Sequence, residues 1–261
     1  MKKSFIALSL ALSLPLMAQE TNQEEDFQRV KENIQENASQ QIANAPIKVV
    51  YDLGEYGFDG FYEVTIGGQS MIAHEGGQYV FLGDFFDLST MRNYTQERAQ
   101  EAMTKKAKAV VENLPEEELV HFKVNEGVEK IGTMYVFSDT TCGYCMKLHS
   151  EREEYAQGGV EIVYIPYPRS GLQGKGYNEW VTTMCSDNQQ QALTDFKEGT
   201  AGIKYNNVET TEQCEQIVAN GYQAGQEIGV TGTPFIYLSN GQTVPGYNPA
   251  SSIIQRLQTD Q

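Results

Sequence analysis

The sequence predicts a protein of two parts, an α+β N-terminal part and an α/β C-terminal part, joined by a helix. Short runs separated by glycine pairs occupy residues 46–86, which indicates a small antiparallel sheet. A helix-like segment over 95–114 ends at Pro115, where a helix cannot easily continue. Beyond it, residues 131–137 and 160–167 are apolar on both faces and flank a helix-like stretch. That order is typical of a parallel strand–helix–strand unit.

The chain begins with the pattern of an export signal. Two lysines precede an apolar run over residues 5–16 that is too short to span a bilayer. A signal peptide over 1–18, cleaved after Ala18, is the prediction, and an uncleaved anchor is the alternative. Cleavage removes two lysines and no acid, so the formal charge of −16 becomes −18. Such an acidic chain is poorly suited to nucleic acid, and export would permit disulfides.

Residues 19–94 are expected to form the N-terminal domain. Their first part, to about residue 45, has apolar residues at helical spacing and predicts an amphipathic helix, although 19–25 could also be a disordered lead-in. These apolar residues are Phe27, Val30, Ile34, Ala38 and Ile42. Three or four strands follow. The last run, 79–82, is apolar on both faces and needs cover from another subunit or from the first helix.

The segment 95–114 is expected to be a linker helix capped by Thr95. Its apolar stripe is narrow, which suits a connector, and consists of Ala99, Met103, Ala107, Val110 and Leu114. Residues 115–261 would then form the second domain. In it, 171–176 is loop-like and 177–228 is a predominantly helical insertion. A strand, an Asn-Gly hairpin and a helix from about 249 to 257 close the chain.

Cys142 and Cys145 form a Cys-x-x-Cys motif between the first apolar strand and the helix-like stretch. Thiol–disulfide exchange needs a thiolate, and the positive end of a helix favours that anion at Cys142. Cys145 lies one turn further in and should stay protonated, so Cys142 would attack and Cys145 would resolve. Gly143 and Tyr144 carry no positive charge, which favours an intermediate redox poise over an extreme oxidant.

Thr233-Pro234 precedes the apolar run 235–238 and is the candidate for a cis peptide bond beside the motif. Such a bond would turn the Thr233 backbone outward, where an extended substrate could pair with it. Cys185 and Cys214 have no other partner and are interpreted as a structural disulfide, with a second redox pair as the alternative. Because they lie far apart in sequence, no metal site is expected.

Two charged or titratable residues near the motif each have two possible roles. His149 lies one turn beyond Cys145 and could tune the thiols, but a packed or solvated helix histidine is the simpler interpretation. Arg169 could guide acidic groups or hold a loop.

The motifs together resemble the DsbC/DsbG family of periplasmic disulfide isomerases, in the thioredoxin superfamily. The resemblance is carried by 138–149 around the CGYC motif, by 168–172, and by the stretches 229–234 and 238–247. It is strong over roughly 131–257 and weaker over 46–114. The departures are a longer polar lead-in and Met146, where the enterobacterial relatives carry histidine.

The resemblance implies a thioredoxin-fold catalytic domain with a helical insertion and a cystatin-like N-terminal dimerisation domain. It implies that Cys142 and Cys145 are the active pair, and that Thr233 and Pro234 form the substrate-binding cis-proline loop. Cys185 and Cys214 match the structural disulfide of the family. A V-shaped homodimer kept reduced by the membrane reductase DsbD, with no cofactor, is the further implication.

The expected function is therefore a thiol-disulfide isomerase that reshuffles incorrect disulfides in unfolded or misoxidised exported proteins and also acts as a chaperone. A DsbG-like reductase of single oxidised cysteines, an oxidase, and a holdase with incidental thiols are the alternatives. The separate N-terminal domain counts against the oxidase, which a lone thioredoxin domain would fit better.

Overall fold

The computed structural model describes residues 14–259, so the signal peptide predicted over 1–18 lies mainly outside them. The chain divides into two compact units, one ending at Glu97 and the other beginning at Arg98.

The first unit is a helix on a four-stranded antiparallel sheet of order β1-β2-β3-β4, followed by a small two-stranded hairpin, β5-β6. A 3₁₀ turn over Leu53–Tyr56 follows β1. The elements are α1 Leu14–Asn37, α2 Gln40–Ala43, β1 Ile47–Asp52, β2 Phe61–Ile66, β3 Gln69–His74, β4 Val80–Phe81, β5 Phe86–Asp87 and β6 Arg92–Asn93. The predicted sheet of three or four strands is confirmed.

The core of this unit forms where α1 covers one face of the sheet. Val30 and Ile34 are buried against Val49 and Val64. The predicted apolar stripe does not extend to Ile42, which is 44% exposed. The chain leaves the helix after Asn37, so the helical spacing no longer places later residues on the same face.

Strand β4 lies at the edge of the sheet and pairs only with β3 in the described part of the chain. Its Val80 and Phe81 are exposed, as are the flanking Tyr79 and Leu82. Packing against the first helix, one of the two alternatives for this run, is therefore wrong.

Helix α3 runs over Tyr94–Val111. Its cap differs from the prediction, because the side chain of Asn93 accepts a hydrogen bond from the Gln96 N–H at 3.0 Å. Thr95 lies inside the helix, and its hydroxyl accepts from the Phe85 N–H instead. Within the second unit, Ala107 and Val111 of this helix are buried in a core that also contains strand residues.

The second unit is a five-stranded mixed sheet of order β11-β10-β8-β9-β7 with helices around it. Strands β8 and β9 are parallel, and the other pairs are antiparallel. The elements are β7 Val120–Phe122, β8 Gly132–Ser138, α4 Gly143–Ser150, α5 Arg152–Gln157, β9 Val160–Pro166, α6 Gly174–Met184, α7 Gln189–Glu198, α8 Glu212–Ile228, β10 Phe235–Leu238, β11 Thr243–Pro245 and α9 Ala250–Gln258. The fold class is confirmed, including the parallel crossover through the motif helix.

The helix-like stretch that follows the motif forms two helices, since α4 ends at Ser150 and α5 begins at Arg152. Glu151 leaves helical geometry at the break, and its carboxylate accepts hydrogen bonds from the Tyr247 hydroxyl and, at 3.0 Å, from the Ala250 N–H. Because of this break, the Glu151 carboxylate can bind the Ala250 N–H. This N–H lies in the first turn of α9 and has no partner within that helix.

Two further elements differ from the sequence-based expectations. Helix α6 begins at Gly174, inside the stretch expected to be a loop. Strand β7, which was not predicted, pairs antiparallel with β9 and closes one edge of the sheet.

Candidate active site

Cys142 lies directly after the turn that leaves β8 and occupies the residue before the first turn of α4. Its N–H donates to the Asp139 carbonyl at 3.2 Å, and its own carbonyl accepts from the Met146 N–H at 2.9 Å. This geometry points unpaired backbone N–H groups of the first helical turn toward the Cys142 sulfur. Both thiols are free in this structure and buried, Cys142 at 3% and Cys145 at 0% exposure.

Asp139 holds the turn in place, and the sequence analysis missed it. Its Oδ1 accepts from the Thr141 N–H and hydroxyl, each at 2.7 Å. Its Oδ2 accepts from the backbone N–H and Nε of Arg169, at 3.0 and 3.1 Å. Burial alone would raise the pKa of this carboxyl, but these hydrogen bonds lower it below its ordinary value. Arg169 thus does hold a loop.

The two thiols have opposite electrostatic environments. The pKa of Cys142 is lowered well below its ordinary value, chiefly because the Cys145 thiol donates a hydrogen bond to it. Burial opposes this shift, whereas Thr233, the Cys145 N–H and the positive charge of Arg169 add to it. Burial raises the pKa of Cys145, and its hydrogen bond to Cys142 raises it further. A thiolate at Cys142 beside a protonated Cys145 is the favoured state.

A cation therefore acts on Cys142 even though the Gly143-Tyr144 dipeptide carries none. It comes from Arg169, in the loop between β9 and α6. The dipeptide alone favours a moderate redox poise, and the tertiary fold adds the positive charge of Arg169 to its effect.

The structure brings Thr233 and Pro234 to the motif because they precede β10, whose first residue pairs with Phe137 near the end of β8. The peptide bond between them is cis. The Cys142 sulfur lies 3.2 Å from the Thr233 carbonyl oxygen, to which only its protonated form can donate, so the backbone that leads into β10 faces the reactive sulfur.

Tyr144, between the cysteines, presents its ring to solvent at 62% exposure. The ring stacks on Tyr247, with centroids 6.2 Å apart and planes at 20°. Lys147 lies about one turn after Tyr144 on α4. Its ammonium is 4.5 Å from the centroid of the Tyr247 ring. These three side chains form an exposed aromatic ledge next to Cys142.

The interior side of the site contains polar groups, of which the sequence indicated His149 but not Lys197 or Ser138. His149 is fully buried; its Nδ1 and Nε2 lie 3.0 Å from the hydroxyls of Tyr164 and Thr194. Burial lowers the pKa of His149 to about 2, so it adds no charge at neutral pH. The interpretation as a packed histidine therefore fits the structure. Lys197 and Ser138 are buried nearby, hydrogen-bonded to each other at 2.7 Å.

Cys185 and Cys214 form a disulfide bond. Cys185 ends α6 and Cys214 lies in the first turn of α8, so the bond joins two helices of the insertion. Cys214 is buried in the core of the unit.

In the described part of the chain, residues 14–259, no three His, Cys, Asp or Glu side chains gather in a way that could hold a metal ion. No helix in that range has the length and apolar character needed to cross a membrane.

Comparison with known proteins adds independent support. The model of the thioredoxin-like domain family matches residues 119–260, and that of the disulfide bond isomerase N-terminal domain matches 18–96. Thiol:disulfide interchange protein DsbC of Salmonella typhimurium is 30% identical over 69% of this chain and 72% of that protein. DsbC of Escherichia coli K12 is 29% identical over 72% of each.

A solved variant of Proteus mirabilis ScsC, with a linker deletion, superposes with a TM-score of 0.50 at 13% identity, covering 64% of this chain and 85% of that one. That likeness supports the fold alone. The sequence matches cover both units, and they agree with the mixed sheet and the paired thiols. The chain belongs to the DsbC family of thiol:disulfide interchange proteins and is a thiol-disulfide oxidoreductase.

Proposed function

We propose that this oxidoreductase is a disulfide isomerase, in which Cys142 is the nucleophile and Cys145 the resolving thiol. The observation that carries the proposal is the opposite shift of the two pKa values, down at Cys142 and up at Cys145. Only Cys142 is then a ready thiolate at neutral pH. Attack on a client disulfide forms a bond between Cys142 and one client sulfur and releases the other client sulfur as a thiolate.

The mixed disulfide has two fates. Another client thiolate attacks the client sulfur, forms a new client disulfide and returns Cys142 unchanged, which is isomerisation. Alternatively, Cys145 attacks Cys142, releases a reduced client and leaves a Cys142–Cys145 disulfide. A protonated, buried Cys145 favours the first route because it slows the second.

Client binding is assigned to the backbone at Thr233-Pro234 and to the aromatic ledge. The Thr233 carbonyl lies within 3.2 Å of the Cys142 sulfur, so an extended client paired with this backbone would place its disulfide at the nucleophile. Backbone pairing and a flat aromatic surface suit unfolded clients of varied sequence.

The remaining assignments follow the family. The N-terminal unit would form a homodimer, for which its exposed apolar edge β4 is the supporting feature. The signal peptide would bring the chain to the periplasm. There the membrane reductase DsbD would return the oxidised pair to thiols, and chaperone activity would accompany the dimer.

The test is recovery of native enzyme activity from a scrambled protein with several disulfides, with small thiols present as redox buffer. The wild type should accelerate recovery and the Cys142→Ala variant should not, because it lacks the attacking sulfur. Equal recovery with both proteins would refute the isomerase and favour a holdase. Accelerated reduction of a client carrying one sulfenic acid, without gain on the scrambled protein, would instead favour the reductase of single oxidised cysteines.

A further inference from the structure

Lys197, on α7 of the helical insertion, is the unexplained group of this site. Its side chain is buried, with 4% exposure for the residue, although lysine is among the residues least often buried. No carboxylate among the described side chains of residues 23–259 lies within ion-pair distance of it. A buried unpaired cation is costly, and such groups gather at functional sites.

The contacts of Lys197 lead toward the resolving thiol. Its Nζ donates to the Ser138 hydroxyl at 2.7 Å and lies 5.2 Å from the centroid of the Tyr164 ring. Ser138 ends β8, and its carbonyl accepts from the Trp180 Nε1 at 2.8 Å and the Tyr167 N–H at 2.9 Å. The end of this strand is therefore held firmly behind the motif.

Ser138 and Lys197 both act on Cys145, which is fully buried. A hydrogen bond from Ser138 and the charge of Lys197 both lower the pKa of Cys145, against the larger effect of burial. An ammonium has only donors, so the Ser138 oxygen is the acceptor in its contact with Lys197. The hydroxyl proton of Ser138 is then free to point at the Cys145 sulfur.

We propose that Lys197, acting through the Ser138 hydroxyl, is a positioning residue that stabilises the Cys145 thiolate while Cys145 resolves the mixed disulfide. The inference rests on the proposed roles of the two cysteines. It adds which groups control the resolution of the mixed disulfide by Cys145. Cys145 then resolves the mixed disulfide faster than its burial alone would allow. The Lys197–Ser138 pair therefore sets the share of mixed disulfides that end in net reduction of the client.

The step balances as follows. When Cys142 is bound to a client sulfur, the Cys145 thiol loses its proton and its sulfur attacks that of Cys142. The Cys142–client bond breaks, the Cys142–Cys145 bond forms, and the client sulfur leaves as a thiolate that takes up a proton. The two cysteines are oxidised and the client is reduced. Burial lowers the pKa of Lys197, and the negative charge that develops on Cys145 opposes this shift and favours the ammonium form. The Ser138 hydroxyl donates to the sulfur that becomes anionic.

Other titratable groups also face this pair. Cys142 loses its thiolate charge in the mixed disulfide, so it no longer opposes ionisation of Cys145. The other groups whose charges act on Lys197, Cys145 or their neighbours include Asp139, His149, Arg152, Tyr155, Tyr164, Arg169 and Glu179. His149 is neutral and is therefore not the source of a pH effect near pH 7.

The experiment uses the full chain and 5,5′-dithiobis(2-nitrobenzoate), which releases one thionitrobenzoate when Cys142 attacks and a second when Cys145 resolves. The variant is Lys197→Met, which keeps a long side chain without the charge. We expect the second phase to be roughly tenfold slower at neutral pH, and its pH profile to move upward, since one pKa unit is a tenfold change in thiolate. The first phase should persist.

Lys204→Met is the matched control, because it removes the same charge from the insertion at an exposed site paired with Asp195. Its second phase should equal that of the wild type. Ser138→Ala should reproduce the slow second phase, and adding Lys197→Met to it should slow it little further, as expected for groups that act in series.

A second phase with wild-type rate and pH profile in a folded Lys197→Met protein would overturn the proposal. Should that variant not fold, an unchanged second phase in Ser138→Ala would overturn it equally. The isomerase assignment can fail separately. Wild-type protein that resolves as expected but gives no recovery of the scrambled substrate would refute the isomerase and leave the role of Lys197 intact.

Discussion

At the scale of single residues, the site depends on giving two identical thiols different chemistry. Cys142 begins a helix and accepts hydrogen bonds, which lowers its pKa, whereas burial raises the pKa of Cys145 one turn later. Arg169 contributes a positive charge from a loop that Asp139 anchors. The environment of each thiol therefore comes from three separate stretches of chain.

The rate of Cys142 alkylation should depend on pH with a midpoint well below that of an ordinary cysteine, about 8.5. The sign follows from the thiolate being the reactive form, so the rate rises with pH through the lowered pKa and then levels off. In Cys145→Ala the midpoint should move up, because the largest stabilising hydrogen bond is lost. Iodoacetamide modification followed by mass spectrometry measures both profiles. Identical midpoints in the two proteins would contradict this account of the shift.

At the scale of elements, side-chain contacts determine where helices end and how they join. Helix α4 stops before Arg152, where Glu151 bonds to the start of α9. The insertion is joined through the bond between Cys185 and Cys214, which lie 29 residues apart. We propose a structural role for this bond, because it links two helices and neither cysteine lies in a Cys-x-x-Cys motif.

Replacing both insertion cysteines by alanine should lower the free energy of unfolding by roughly 3.5 kcal/mol, the chain-entropy estimate for a loop of this length. Release of both thionitrobenzoates at Cys142 and Cys145 should continue under conditions where the variant is folded. Urea unfolding of the wild type and variant, without reductant, measures the difference. Loss of the second release step with little loss of stability would instead indicate a second redox pair.

At the scale of the whole molecule, the chain has two units with separate cores. The first has its own helix-on-sheet core around Val30 and Ile34, and the second is built on the mixed sheet. Both family models match, one on each unit, which agrees with this division. The exposed apolar edge β4 in the first unit is the feature that favours self-association there.

Phe81→Asp should convert a dimer into a monomer, because a charge at an apolar edge strand disfavours pairing with a second chain. The matched control is Ile203→Asp, a change at an 83% exposed apolar residue of the second unit, which should leave the dimer intact. Sedimentation velocity at micromolar concentration distinguishes the two states. A monomeric wild type, or a Phe81→Asp protein that stays dimeric, would contradict this use of β4.

Local patterns were sufficient for most of the strands, though not for β7, and for the parallel crossover and the helical insertion. These elements depend on residues that are close in sequence, through the spacing of hydrophobic residues, the glycine turns and the positions of proline. The helix break at Glu151 was not predicted because it depends on a contact with α9. The cap at Asn93 was not predicted because Thr95, two residues later, is also of a type that caps helices. Asp139 escaped for a similar reason, since its main partner, Arg169, is thirty residues away.

The sequence by itself determined the order of the elements, the positions of four cysteines, and the resemblance that identified the family. It did so because each of these is a property of short, contiguous stretches. Only the tertiary structure decided which charges reach the thiols. The cation of Arg169 and the buried ammonium of Lys197 arrive from a loop and an inserted helix that no local pattern connects to Cys142 or Cys145. Electrostatic effects depend on distance through space and on burial, and folding sets both.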